Sequence, residues 1–219
     1  MAHITVIVVT IMVCPRCFQS PLRLPARRVH VGSIAKRVAD RLTWTVYNQE
    51  NLEYLAGNDA AQAELQSELS PEALVWQQNQ LQALQQRGGA SNSPGSLSLA
   101  RVIYGLTARG QAIFVGRGAG FYLPPLNCLH VRIIANLADR VQHMQDWLRL
   151  TPQQAEDQVL QKDQQRKKYL SEQFGERLSD ICAYDLTINS SSLGEETCSD
   201  CIIVALNGKR ESWDPGSSF

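Results

Sequence analysis

The chain has 219 residues, of which 44% are hydrophobic and 19% are charged, and its 21 basic residues balance its 21 acidic ones. This length and composition are typical of one globular α/β domain that can carry a small mobile subdomain. A chain of zero net charge lacks the broad positive field of a general DNA-binding protein, although a local basic site for a small anion remains possible.

The first apolar segment is ITVIVVTIMV, residues 4–13. It is about half as long as a bilayer-spanning helix, and it has no basic leader of the kind that begins a signal peptide. Its many valines and isoleucines favour a strand that is buried on both faces. We therefore expect a cytoplasmic protein that does not bind a membrane.

A loop and a helix are expected next. Residues 14–28 contain three prolines and no helical period, which predicts a loop. Residues 34–42 place their apolar side chains on one face and most charged side chains outside it, which predicts an amphipathic helix. Ser33 is the expected N-cap of this helix.

The middle of the chain favours helix. After a short predicted strand at 44–50, residues 50–87 are rich in Ala, Leu, Gln and Glu. The stretch GGASNSPGS, residues 88–96, predicts a flexible loop. Residues 97–110 then predict a helix that Gly110 ends.

The next stretch, AIFVGRGAG, runs from 112 to 120 and places an arginine among glycines where a buried strand ends. Ligands of parallel sheets bind beyond the carboxyl ends of the strands. Gly116 and Gly118 allow a sharp turn and leave space beside Arg117. The guanidinium can hold a phosphate or carboxylate through two hydrogen bonds. The alternative is an arginine that pairs with a surface acid.

The remaining elements alternate. Residues 128–135 and 184–189 predict strands, and residues 138–150 and 192–208 predict helices. This alternation predicts a mostly parallel sheet with helices on both faces.

The longest predicted helix covers residues 151–174. Thr151 is its expected N-cap, Pro152 occupies the first helical position, and Gln154 completes a capping box.

Several cations fall on these later elements. Lys162 and Arg166 are four residues apart, so they share a helix face beside Asp163, while Arg132 and Arg140 lie on the preceding strand and helix. Taken alone, the helical pair indicates a solvated basic face. Cations that converge from several elements are, however, what phosphoryl transfer requires, because the migrating group carries spread negative charge.

The six cysteines are too few for a disulfide scaffold, which favours a reducing compartment. Two CxxC pairs, at 14–17 and 198–201, have the thiolates for a zinc site. They lie almost a whole chain apart and the second falls in a predicted helix. We expect small buried thiols and no metal held by protein side chains.

At this point the sequence resembles the cytidylate-kinase-like proteins, relatives of bacterial CMP kinase among the P-loop nucleoside monophosphate kinases. The resemblance covers about residues 28–206, and the GRGAG segment with its following strand and helix is the most specific part. The segments that carry it, in the family's order, are IAKRVADRLTWTVYNQENLEYLA, FVGRGAGFYLPPLNCLHVRIIANLADRV, KDQQRKKYL and YDLTINSSSL.

The resemblance implies a P-loop NTPase-like fold, a three-layer α/β/α arrangement with a mostly parallel sheet. Residues 1–49 and 96–219 would form the kinase-like core, with a lid at about 150–175. Residues 50–95 would form a helical insertion that binds the nucleoside monophosphate.

The resemblance also implies a reaction: transfer of the ATP γ-phosphate, with Mg²⁺, to CMP, dCMP or a similar small phosphate acceptor. Arg117 would contact the acceptor's monophosphate, with Gly116 and Gly118 as the other substrate-binding residues. Arg166 would close over the donor, and Asp163 would orient the lid cations or help to hold the metal. The residues implied at the reaction itself are Arg117, Lys162, Asp163 and Arg166.

The donor loop departs from the family. In place of a glycine-rich loop the chain has PARRVHVGSIAKR, residues 25–37, where only Gly32 and Ser33 resemble a phosphate loop, directly ahead of the predicted helix. Lys36 lies inside that helix rather than at the position of a Walker lysine. Arg28 is the expected compensating charge, so the implied donor residues are Gly32, Ser33 and Arg28.

Two other interpretations stay open. The missing glycines favour a degenerate, non-catalytic nucleotide sensor or scaffold on the same fold, and the CxxC pairs favour a metal-stabilised binding module. In the kinase interpretation the partner is a small-molecule nucleotide and not a nucleic acid. No pattern in the sequence specifies the acceptor's base or an oligomeric state.

Overall fold

A computed structural model describes residues 6–11, 31–87, 93–175 and 180–211. Every strand in these ranges belongs to one parallel sheet, in the order β2-β3-β1-β4-β5. The mixed α/β class with parallel strands is confirmed. The strands are β1 (Val6–Ile11), β2 (Thr45–Tyr47), β3 (Ala112–Val115), β4 (Cys128–Ile134) and β5 (Leu186–Asn189).

Helices make up most of the remaining described chain. Two short 3-10 turns, Pro125–Asn127 and Ile181–Ala183, precede β4 and β5. The α-helices are α1 (Val31–Leu42), α2 (Gln49–Gly57), α3 (Asp59–Ser67), α4 (Pro71–Arg87), α5 (Pro94–Arg109), α6 (Ala119–Tyr122), α7 (Leu137–Leu148), α8 (Pro152–Phe174) and α9 (Ser190–Glu211).

Apolar side chains pack on both faces of the sheet because successive strand residues point to opposite sides. Phe114 of β3 belongs to a core cluster with residues of α5, α6 and α8. Its neighbour Ile113 belongs to a second cluster with Ile34 of α1 and Ile202 of α9. The sheet is therefore a layer between two groups of helices.

The start of α1 differs from the prediction. The helix begins at Val31, so Ser33 lies in its first turn and is not the N-cap. The Ser33 hydroxyl instead donates to the Glu195 carboxylate of α9, 162 residues away in the chain. The predicted loop at 14–28 lies outside the described residues.

The start of α5 also differs, since the loop predicted over 88–96 ends earlier. Ser93 accepts a hydrogen bond from the backbone N–H of Ser96 at 3.3 Å, and Pro94 occupies the first turn. Serine and proline are common in loops and also at helix starts, and here they begin a helix. Gly110 ends α5 with a φ of 82°, as predicted.

The cap of α8 is confirmed. The Thr151 hydroxyl accepts from the Gln154 N–H at 3.3 Å, and the Gln154 side chain accepts from the Thr151 N–H at 3.0 Å. The helix then runs from Pro152 to Phe174. This locally encoded cap fixes where the helix begins.

The second CxxC pair lies on α9, as expected for a helix. Cys198 is buried, and burial raises the pKa of its thiol to about 11, whereas Cys201 is half-buried. The first pair, at 14–17, lies outside the described residues. Within the described ranges no group of three or more His, Cys, Asp or Glu side chains is arranged to hold a metal ion. No helix in those ranges has the length and apolar character to cross a membrane.

Candidate functional site

The candidate site lies at the carboxyl edge of the sheet. The sheet order places the end of β1 between the ends of β3 and β4. Gly116, Arg117 and Gly118, here called the glycine loop, follow β3 directly, and Arg132 lies near the end of β4. Parallel topology thus brings two arginines to one edge, as the sequence predicts.

The glycine loop has an unusual backbone, with φ values of 91°, 53° and 64° at its three successive residues. Glycine adopts this left-handed region freely, whereas the strain at Arg117 costs roughly 1 kcal/mol. A β-carbon on Gly118 would lie 2.5 Å from the Phe174 ring and 2.9 Å from Leu170, so this glycine lets α8 approach the loop closely.

Arg117 is enclosed from two sides, and its side chain is 21% exposed. Its Nη2 forms an ion pair with Glu53 of α2, and its guanidinium carbon lies 4.5 Å from the ring centre of Tyr169 on α8. Its Nε is buried and has no hydrogen-bond partner among the described residues. The arginine therefore pairs with an acid and still has one N–H that the described chain does not satisfy.

A second cluster joins α7 to α8. Nη1 of Arg140 donates to both carboxylate oxygens of Asp163, at 2.9 and 2.7 Å, and both side chains are less than one fifth exposed. Burial lowers the pKa of Arg166 and the Arg140 charge acts in the same direction, while Asp163 opposes them. Two guanidinium groups therefore share one carboxylate, which leaves the cluster with a net positive charge.

Arg140 is a residue to which the sequence assigned no role. The sequence signal for Arg140 was its position in the first turn of a helix that follows β4. In the sheet, only β1 lies between β4 and β3, the strand that leads into the glycine loop. That signal is ambiguous, because an arginine there can equally face solvent. Only the placement of α8 shows that it reaches Asp163.

Arg132 is the third arginine with an unused donor. It lies on β4 opposite Thr10 of β1 and Thr187 of β5, and its guanidinium carbon is 5.5 Å from the ring centre of Tyr184. Like Arg117 and Arg140, it has a buried Nε with no hydrogen-bond partner among the described residues.

Lys162 does not join these arginines. Its side chain is exposed, and its ammonium lies 5.9 Å from the ring centre of Trp147 on α7. Of the four residues implied at the reaction, Asp163 and Arg166 cluster together on α8, and Lys162 lies apart from them. Arg117, in the glycine loop, contacts the same helix through Tyr169.

On the donor side, Gly32 and Ser33 lie inside the first turn of α1 and not ahead of it, so this part of the prediction was wrong. Besides accepting from Ser33, Glu195 lies 3.5 Å from Nε of Arg37. It directly follows Gly194, whose φ of 78° kinks α9. Arg28 lies outside the described residues.

The chain matches the model of the cytidylate kinase-like family over residues 30–192, a span that includes the glycine loop, Arg132, Arg140 and all of α8. It belongs to the cytidylate kinase-like family. The resemblance that the sequence carried is thereby confirmed, and the protein is nucleotide kinase-like.

The fold of this cytidylate kinase-like chain is also found in a crystal structure of an uncharacterized protein from Eubacterium ventriosum ATCC 27560. The two superpose with a TM-score of 0.64 at 16% identity, over 92% of this chain and 98% of the other. At this identity the likeness concerns the fold alone. No curated protein matches the chain.

His130 supports the family's glycine segment from the sheet, a role that the sequence did not indicate. Its ring is buried against Gly120, where an added β-carbon would lie 2.4 Å from the imidazole. Nδ1 is 2.7 Å from the Ala183 carbonyl, which only accepts, so Nδ1 carries the proton. Burial lowers the pKa of His130 to about 4, which keeps it neutral at pH 7.

Proposed function

We propose that the protein is a nucleotide kinase with a P-loop NTPase-like fold that transfers the γ-phosphate of ATP to CMP, dCMP or a similar small phosphate acceptor. One observation supports this most strongly: Arg117, Arg132 and Arg140, from three elements, each have a buried Nε without a partner in the described chain. A buried donor left unsatisfied costs about 1–3 kcal/mol. Phosphate oxygens are suitable acceptors for all three.

The acceptor's phosphate is assigned to Arg117. A phosphate there would accept hydrogen bonds from Nε and Nη2 together, the paired geometry that guanidinium groups favour. Gly116 contributes open space, since the nearest side-chain atom to an added β-carbon would be 4.0 Å away, on Gln49. Gly118 holds the loop against α8.

The proposed domains follow from what touches Arg117. The proposed monophosphate-binding insertion, residues 50–95, contains α3, α4 and all of α2 except Gln49. Helix α2 reaches the arginine through Glu53. Helix α8 lies within the proposed lid, 150–175, and reaches it through Tyr169. A site between two such segments suits a reaction that must exclude water.

Arg166 of the lid and Arg140 of α7 would neutralise the transferring group. Asp163 positions both, because it accepts two hydrogen bonds from Arg140 and its charge opposes the burial that lowers the pKa of Arg166. Asp163 and Tyr169 are about 9 Å apart along α8, so a single helix contacts both this cluster and Arg117. Lys162 stays on the solvent side of the lid.

ATP is assigned to the amino end of α1, where Gly32, Ser33 and the helix dipole favour an anion and Arg28 would add charge. Mg²⁺ suits this assignment without a protein cage, because it is usually held by phosphates and water with one or two carboxylates. The proposal includes a cytoplasmic location and a small-molecule nucleotide as the partner.

The test is a coupled ADP-release assay with ATP, Mg²⁺ and CMP, dCMP or UMP. We expect turnover, and a fall in kcat/KM of about 10²–10³ in Arg117→Ala because one cationic contact to the reacting phosphate is lost. Arg109→Ala is the matched control. That arginine also pairs with a glutamate, Glu68, at 2.6 Å, but it is the last residue of α5 and precedes β3, whereas Arg117 follows β3.

A second function has its own support. Glu195 accepts a hydrogen bond from Ser33, and Glu53 pairs with Arg117. Residues assigned to the two nucleotides thus already have protein partners, which favours a nucleotide sensor without turnover. ATP or CMP binding without ADP release would favour the sensor, and no binding of either nucleotide would overturn both functions.

A further inference from the structure

Glu53 pairs with the Arg117 guanidinium, the group that would bind the proposed acceptor's phosphate. Its carboxylate pairs with Nη2 of Arg117 and accepts from Nε2 of Gln49, one turn earlier on α2, at 3.3 Å. Gln49 itself borders Gly116. The first two turns of α2 thus place a carboxylate directly at the glycine loop.

The backbone that carries Glu53 is fixed by capping and burial, whereas its side chain reaches solvent. Asn48 and Asn51 form a capping box at the start of α2, with hydrogen bonds of 2.9 and 3.2 Å. The next residue, Leu52, is fully buried. The Glu53 side chain, by contrast, is 45% exposed, so its carboxylate can turn into water without moving the helix.

In its observed position, the Glu53 carboxylate is an incomplete substitute for a phosphate at Arg117. Glu53 takes Nη2 and leaves Nε unpaired, whereas a phosphate monoester has the oxygens and the second charge to take both. Displacing Glu53 therefore exchanges a single contact for a paired one.

We propose that Glu53 is an internal competitor for the acceptor's phosphate at Arg117, so that it sets the affinity of the site and selects ligands with a dianionic phosphate monoester. The nucleotide part of this inference rests on the proposed function; the competition itself concerns any dianionic phosphate, inorganic phosphate included. Glu53 is a specificity-determining residue that leaves when the ligand binds.

The test measures binding of CMP and of inorganic phosphate by calorimetry to the full chain and to Glu53→Gln, which keeps the shape and removes the charge. We expect both ligands to bind about fivefold more tightly to Glu53→Gln, the equivalent of a partly exposed ion pair. Glu196→Gln removes a charge from an exposed position on α9, outside the proposed insertion, where the carboxylate also pairs with an arginine, Arg41, and it should leave both affinities unchanged. In an Arg117→Ala background, Glu53→Gln should also have no effect.

Equal affinities for the parent and Glu53→Gln would overturn the inference, and so would weaker binding, which would mean that Glu53 positions Arg117. Tighter phosphate binding with no CMP binding would sustain the competition and contradict the nucleotide kinase function. If inorganic phosphate bound to none of the variants, the inference would fail. Thermal unfolding of each variant verifies that it is folded.

Discussion

The acceptor and donor sides of the site both meet a glutamate, but with different results. At Arg117 the pair with Glu53 leaves a buried Nε unsatisfied among the described residues. On the donor side, Glu195 takes the Ser33 hydroxyl and the charge of Arg37, whose side chain is 48% exposed. The shielded group on the donor side is therefore the Glu195 carboxylate, which is 19% exposed, while its arginine can be solvated on its own.

This difference teaches that pairing with an acid does not by itself argue against a ligand site. A buried guanidinium has more donors than one carboxylate oxygen can accept, so the unsatisfied donors carry the information. By that criterion the acceptor side has the features of a built anion site, and the donor side depends on how readily Glu195 is displaced.

The largest effect that tests this comparison is expected at Gly118. Gly118→Ala adds a β-carbon against Phe174 and Leu170 in a left-handed backbone, so we expect roughly 3 kcal/mol of lost stability together with displacement of α8. Gly116→Ala is the control: the backbone is similarly left-handed but the space is open, so we expect about 1 kcal/mol. Urea unfolding measures both. Equal losses would mean that α8 is not held by its fit to the loop.

Much of the fold could be predicted because its signals are local. The box formed by Thr151 and Gln154 and the stop at Gly110 depend on neighbouring residues only, and each has the predicted geometry. The apolar strand at the start of the chain likewise contains β1. Ser93 and Pro94 show the limit of such signals, because the same residues suit a loop and a helix start.

The partners within the site could not be predicted, since each is fixed by packing of distant segments. Glu53 lies 64 residues before Arg117, and Arg140 reaches Asp163 across 23 residues only because α7 packs on α8. The donor-side error has the same origin. The pattern of α1 suggested a cap at Ser33, whereas a residue of α9 determines what its hydroxyl binds.

A smaller effect concerns the support beneath the acceptor side, through the pH dependence of stability. Burial holds the pKa of His130 at about 4, below its ordinary value of 6.5, so the unfolded chain takes up the proton first as the pH falls. The contribution of His130 to the free energy of unfolding should be at its maximum above pH 6.5. The free energy of unfolding should then decrease by up to about 3 kcal/mol as the pH falls to 4. Urea titrations at pH 7.5, 6 and 5 measure this decrease. In His130→Gln the decrease should be smaller, and an equal decrease would assign it to other groups.

The smallest effect is expected on the donor side. Glu195→Gln removes an ion pair with a half-exposed arginine, so stability should change by less than about 1 kcal/mol. The same change removes negative charge from the amino end of α1, so ATP should bind a few-fold more tightly if its phosphates lie there. Glu196→Gln is the matched control, because Glu196 is the next residue and pairs instead with Arg41 at 3.3 Å, farther along α1. If calorimetry shows the same ATP affinity for all three proteins, the α1 end is not the donor site. The two sides would then differ in kind, with an anion site beside α8 and none at α1.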